Sequence, residues 1–183
     1  MRVSVFLALS LDGFLARPDG SLDWLPGGEG TEDGDPVEDH GYADFVAGVD
    51  AHVLGRGSYD KVLEFGVWPY EKPTFVLTSR PLDRPAPVPD TVEPLAGPPE
   101  EILAALAARG IGHVHLDGGD AVRRFLRVGL VDRLVITRIP VLIGRGIPLF
   151  GDLPDDVRLE HVGTRAFPGG LVQSDYRRPA PSS

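Results

Sequence analysis

The apolar positions of this 183-residue chain come in short runs broken by glycine and proline. Arg2 to Leu9 is a near-continuous run, which predicts a strand buried on both faces. Ser10-Leu11-Asp12-Gly13 ends it. Residues 16–36 are rich in glycine and proline and predict a long loop, bracketed by two apolar islands, Phe14-Leu15 and Trp24-Leu25. From Val37 to Val49 the spacing of Tyr42, Phe45, Val46 and Val49 predicts a helix. A strand is expected at Ala51 to Leu54, then a helix from Tyr59 to Phe65 with Ser58 as its cap. Pro73 to Leu77 predicts another strand, and Thr91 to Leu95 a short one. Ile102, Leu103 and Leu106 mark a helix over Glu100 to Arg109, stopped by Gly110.

His113 to Leu116 reads as a buried strand running into Gly118-Gly119, with a helix from Ala121 to Val128 behind it. Arg133 to Ile139 is a strand, and Pro140 to Phe150 a glycine-rich connection. Arg158 to Phe167 and Leu171 to Arg177 flank Pro168-Gly169-Gly170, a hairpin signature. Strand and helix alternate to about residue 139. That order predicts an α/β fold of three αβα layers, with a mostly parallel mixed sheet ending in an antiparallel hairpin. No repeat or linker divides the chain: residues 1–178 read as one domain and 179–183 as a flexible tail.

Composition narrows the function. Hydrophobic residues make up 42% of the chain, enough for a core. The net charge of -9 argues against nucleic acid or an anionic membrane as partner. Without cysteine there are no disulfides or thiolate metal sites, and the histidines show no third ligand beside His113 and His115. Ser58 lacks the G-x-S-x-G context of a hydrolase. The first apolar run is too short for a signal peptide or membrane span, so a cytoplasmic location is expected.

Chemistry concentrates at three turns, Gly55-Arg56-Gly57-Ser58, Thr78-Ser79-Arg80 and Asp117-Gly118-Gly119-Asp120. If the strands before them are parallel, all three lie on one sheet edge, where α/β folds bind ligands. Two arginines, three hydroxyls and two helix N-termini suit the phosphates of a dinucleotide, and the arginines favour NADP over NAD. Plainer readings stand beside this one. Arg56 has acids to pair with, Ser58 can cap, Thr78 and Ser79 can end a strand, and Asp120 can cap its own helix. No G-x-G-x-x-G follows the first strand.

Five motifs in order resemble a known family. They are Ser10-Leu11-Asp12-Gly13-Phe14-Leu15-Ala16, Gly55-Arg56-Gly57-Ser58-Tyr59, Leu77-Thr78-Ser79-Arg80, Asp117-Gly118-Gly119 with Gly129-Leu130-Val131-Asp132, and Pro140-Val141-Leu142-Ile143-Gly144 with Gly146, Leu149 and Phe150. The chain resembles the dihydrofolate reductase-like superfamily, and within it the reductase domain of the bacterial riboflavin-biosynthesis deaminase-reductase and its stand-alone relatives. The resemblance implies NADPH as hydride donor and a small heterocyclic, carbonyl or imine substrate. By position, Gly55, Arg56, Gly57 and Ser58 would meet the adenosine-side phosphates, and Thr78, Ser79 and Arg80 the 2′-phosphate and adenine. Gly118, Gly119, Asp120, Ala121 and Val122 would cradle the pyrophosphate, with Ala8, Leu15 and Ala16 near the nicotinamide.

Reduction of a C=N or C=O bond also needs a proton. Asp117, at the end of a central strand, is the expected acid. Asp12 and Asp39 are candidates on the substrate side, against an Asp-Gly turn for the first and a solvated helix for the second. Trp24 reads either as a lid over a planar substrate or as core. The resemblance also implies a homodimer, which the hairpin with Val162, Phe167, Leu171 and Val172 could form. The alternative function is a non-catalytic NADP-binding or structural dimer module of the same fold.

Overall fold

The computed structural model describes residues 1–26 and 39–179. Its strands are β1 (Arg2–Ser10), β2 (Phe14–Ala16), β3 (Ala51–Gly55), β4 (Thr74–Leu77), β5 (Glu93–Leu95), β6 (His113–Asp117), β7 (Arg133–Ile139), β8 (Ile147–Pro148), β9 (Glu160–Ala166) and β10 (Val172–Arg177). The helices are α1 (Tyr42–Ala47), α2 (Arg56–Glu64), α3 (Pro99–Ala108) and α4 (Gly119–Arg127). Eight strands form one sheet in the order β5-β4-β3-β6-β1-β7-β10-β9, and β2 pairs with β8 separately. The pairs from β5 across to β7 are parallel, and β10 is antiparallel to both β7 and β9. This is the mixed αβα architecture expected from the sequence.

The period-2 alternation of each strand divides the sheet into two faces. Val3, Val5, Leu9, Val53, Leu116 and Leu134 point to one face, where α3 and α4 cover them with Leu106, Val122 and Phe125. The other face carries α1 through Phe45, with Val49 just past its end, and α2 through Tyr59. That second face is partly polar: Ser4, His52, Thr74, His113, His115 and Thr137 are all buried. Asp50 accepts the N–H groups of Gly112 and His113, each at 2.8 Å, and so ties the start of β3 to the start of β6.

Several boundaries differ from the expectation. α2 starts at Arg56, directly after β3, so Ser58 lies inside the helix and is not its cap; Gly55 takes the N-cap place without a side-chain bond. Gly55 lies in contact with α4, where a Cβ would stand 3.4 Å from that of Ala121, and the chain turns from β3 into α2 without an intervening loop. α4 likewise starts at Gly119, and no side chain caps it. Asp120 therefore does not cap its helix; its exposed carboxylate lies 3.9 Å from Arg123. α1 begins only at Tyr42, after Gly41 at φ 85°, and ends at Gly48. Val37 and residues 27–36 of the long loop, together with the last four residues of the tail, lie outside the described residues. The connection after β7 contains β8, which gives the Phe14-Leu15 island a partner. No helix among the described residues is long and apolar enough to cross a membrane.

Phe125 is fully buried at the centre of the α4 interface. Phe125→Ala is expected to lower unfolding stability by about 3–5 kcal/mol, read as a fall in the urea midpoint at unchanged slope.

Candidate active site

The site begins with a divergence in the sheet. β1 pairs with β6 only through Arg2, Val3 and Ser4, while its pairing with β7 runs from Ser4 to Ser10. The last registered pair is Ser4 with His115; β6 runs on for two residues to Asp117 and the chain turns away at Gly118, so past the level of Asp117 the β6 side of β1 has no strand along it. Gly118 has φ 99°, a region that costs any other residue strain. Main-chain groups of β1 and the carboxyl of Asp117 consequently border the same gap, at the carboxyl ends of parallel strands.

Two helix N-termini meet beside this gap. A Cβ on Gly118 would collide with the Ser58 hydroxyl, so the turn after β6 and the first turn of α2 are in close contact. Neither α2 nor α4 has a side-chain cap, which leaves their first N–H groups and the positive ends of their dipoles for another acceptor. Leu15 lies over the α4 start: a Cβ on Gly119 would come within 2.7 Å of its Cδ1. The Arg123 guanidinium donates to the Pro148 carbonyl, which holds β8 against the same turn. The sequence-predicted Gly55, Gly118, Gly119, Ala121, Leu15 and Ser58 are thus brought together, and Ala8 lies on β1 with its side chain half-buried.

The cationic residues have partners of differing kind. Arg56 donates to Asp60 at 2.7 Å and to the Pro81 carbonyl at 3.3 Å, so it is engaged within the chain as well as near the α2 start. Thr78 follows β4, and its hydroxyl accepts the Arg80 N–H at 3.1 Å, shaping the turn on which Ser79 and Arg80 are exposed. Together these donors, two arginines and two uncapped helix starts, fit the anionic groups of a dinucleotide.

Asp117 sits where the polar sheet face reaches the gap. Its Oδ2 accepts the Tyr70 hydroxyl at 3.3 Å. Burial pushes its pKa up, and the Tyr70 hydroxyl and Gly118 N–H pull less strongly the other way. Below it on the same face, His52 and His115 are paired across β3 and β6 with their Nδ1 atoms 3.0 Å apart. Burial drives His52 down to about 3 and His115 to about 4, so both rings are neutral near pH 7. Tyr70 packs on His52 and Trp68, and Tyr42 on His115. Burial and the Asp117 carboxyl raise both phenols well above the usual tyrosine range.

The structure places the other acids elsewhere. Asp12 is exposed; it accepts the Ser10 hydroxyl at 2.6 Å and the Gly144 N–H at 2.7 Å, and so fastens the connection after β7 to the end of β1. Those bonds hold its carboxyl below the usual range. Asp39 accepts the N–H groups of Gly41 and Ala43 ahead of and within α1, the work of a helix cap. Trp24 is half-buried, and its indole N–H has no partner among the described residues. Sequence reasoning missed Tyr70, Tyr42 and His52. Only the i, i+2 placement of His113, His115 and Asp117 on one strand face hinted at a polar layer.

Comparison with known proteins agrees with this architecture. The model of the RibD C-terminal domain family matches residues 2–173. The uncharacterized Bacillus subtilis (strain 168) protein YwjB is 36% identical over 177 residues, covering 95% of this chain and 96% of its own. A Shewanella sp. PV-4 crystal structure, described as that of a candidate riboflavin biosynthesis protein, is 36% identical. It superposes with a TM-score of 0.88 over 98% of this chain and 100% of the other. A pyrimidine reductase-like protein from Corynebacterium diphtheriae has a TM-score of 0.70 at 21% identity, over 98% of this chain and 92% of its own, a likeness of fold. With its sheet, its glycine turns and a family match along nearly the whole length, the chain belongs to the RibD C-terminal domain family.

Proposed function

We propose that the protein is an NADPH-dependent reductase of a small heterocyclic, carbonyl or imine substrate, acting in the cytoplasm as a homodimer. Members of its family are reductases of riboflavin biosynthesis. The observation that carries the reading is the gap between β1 and β6, bordered by a desolvated acid on one side and two uncapped helix starts on the other.

The dinucleotide phosphates lie at the starts of α2 and α4, with Arg80, Ser79 and Thr78 at the adenosine end and Ala8, Leu15 and Ala16 at the nicotinamide end. When bound, the cofactor supplies a hydride. The chain supplies the rest. Leu15 and Ala16 keep water from the reacting carbon. Asp117 donates a proton from its carboxyl to the substrate nitrogen or oxygen as the double bond is reduced. An acid with that task must be protonated at working pH, and the desolvation of Asp117 favours that form. Asp12 and Asp39 hold the loops around the site through their backbone bonds.

The homodimer reading rests on the outer strand. β9 is the last strand of the sheet, its residues are mostly exposed, and Val162 and Val172 stand open at 49% and 39% exposure. An uncovered edge strand of this kind is an aggregation hazard unless something pairs with it.

Four outcomes are expected. Arg80→Ala weakens NADPH binding by about tenfold and leaves NADH binding unchanged, read by fluorescence titration; an unchanged NADPH preference moves the 2′-phosphate elsewhere. Asp117→Asn abolishes NADPH oxidation with cofactor affinity intact; retained turnover makes water or another group the acid. Because the folded pKa of Asp117 is raised, its proton is present below that pKa and lost above it. Turnover therefore falls as pH rises through the raised value, and a flat profile there makes another group the acid. Sedimentation equilibrium gives twice the 19.7 kDa chain mass, and a monomer removes the dimer.

A further inference from the structure

Tyr70 lies between α2 and β4, on a stretch with no motif. Its ring is held by two neighbours: His52, with centroids 4.6 Å apart, and Trp68 at 5.2 Å. Trp68 in turn packs edge-on against the fully buried Tyr59 of α2. A phenol has two side-chain torsions, so this packing fixes where the oxygen goes. It goes to one oxygen of one carboxyl, Oδ2 of Asp117.

The partners of that carboxyl can be traced element by element. β6 contributes the Gly118 N–H just past its end. The stretch before β4 contributes the Tyr70 hydroxyl. From α1, the Tyr42 phenol lies close enough to feel the Asp117 charge. Deeper on the same face are His52 of β3 and His115 of β6. Their shared Nδ1···Nδ1 contact requires one ring to donate and the other to accept, so the two rings cannot both be protonated. Among the described residues Lys72 acts on His52, and no cation acts on the carboxyl itself. Among the described residues Tyr70 is the one side chain that donates a hydrogen bond to Asp117.

A neutral carboxyl has two unlike oxygens. The one that accepts a hydrogen bond from a phenol is best used as the carbonyl oxygen, which leaves the proton on the other. We propose that Tyr70 is a positioning residue: by occupying Oδ2 of Asp117 it assigns the transferable proton to Oδ1, the oxygen that the substrate acceptor meets. In the transfer, the O–H bond at Oδ1 breaks and a bond from that proton to the substrate nitrogen or oxygen forms. The negative charge left on the carboxylate is met by the Tyr70 hydroxyl and the Gly118 N–H. This role rests on Asp117 being the acid of the proposed reductase.

The test is Tyr70→Phe, which keeps the ring between His52 and Trp68 and removes only the hydroxyl. With aspartate labelled at the carboxyl carbon, NMR follows the titration of Asp117, and Asp117→Asn identifies its resonance. Loss of one donor to the anion is expected to move the titration upward by about one unit. An unchanged or lowered titration overturns the proposal. A second reading uses the intact protein: the Tyr70 phenol carbon is expected to shift with the Asp117 titration and to lose that shift in Asp117→Asn. A phenol resonance that does not respond contradicts the proposal as well. NADPH affinity is expected to be the same in Tyr70→Phe and wild type. Failure of wild type to bind NADPH removes the reductase reading and the transfer with it, while the carboxyl titration still decides separately whether Tyr70 holds Oδ2 of Asp117.

Discussion

The structure depends on one mismatch of strand lengths. β1 is nine residues long, but β6 has five, pairs with only the first three residues of β1, and ends at Asp117. β7 runs beside β1 for seven residues, so past the end of β6 the first strand is secured on one side and left without a strand on the other. Backbone donors and acceptors left without a strand partner must be satisfied by something else. Gly118 makes the departure possible by taking a φ of 99°, and its missing Cβ lets Ser58 close in. From that single turn follow the abutting helix starts, the position of Leu15 over α4, and the exposure of Asp117 to the gap.

Two opposing effects act on Asp117, and the larger sets its chemistry. Removal from water favours the neutral acid, whereas the bonds from Tyr70 and Gly118 favour the anion, and desolvation is the greater. The surroundings reinforce that balance. His52 and His115 would each stabilise a carboxylate if charged, but burial keeps both neutral until pH falls to about 3 and 4. The acid therefore lies among aromatic and neutral side chains, while Arg56, Arg80 and the starts of α2 and α4 stand at the neighbouring strand ends. A substrate and a polyanionic cofactor can share one gap because their ends meet different electrostatics.

Much of this was legible in the chain. Apolar runs located the core strands, and the order of runs and periodic stretches gave the α/β class. The paired glycines after Leu116 marked the turn. Boundaries shifted where packing overrode local signals. Ser58 looks like a cap in sequence, but Gly55 meets Ala121 at the end of β3 and α2 starts directly after it, three residues earlier. Asp120 looks like a cap too, yet its carboxylate faces outward toward Arg123. Tyr70 and His52 were hidden for a different reason. Their importance comes from register between β3 and β6 and from a ring stack across separate segments, and neither leaves a spacing in the sequence.

The central claim is that the gap beside β1 holds the nicotinamide end of a dinucleotide next to Asp117. Intermolecular NOEs in the protein–NADPH complex test it most directly. The account expects contacts from the nicotinamide protons to the methyl groups of Ala8 and Leu15, and from the adenine protons to the Thr78 methyl. Adenine contacts at Ala8, or contacts to neither group in a saturated complex, would contradict it.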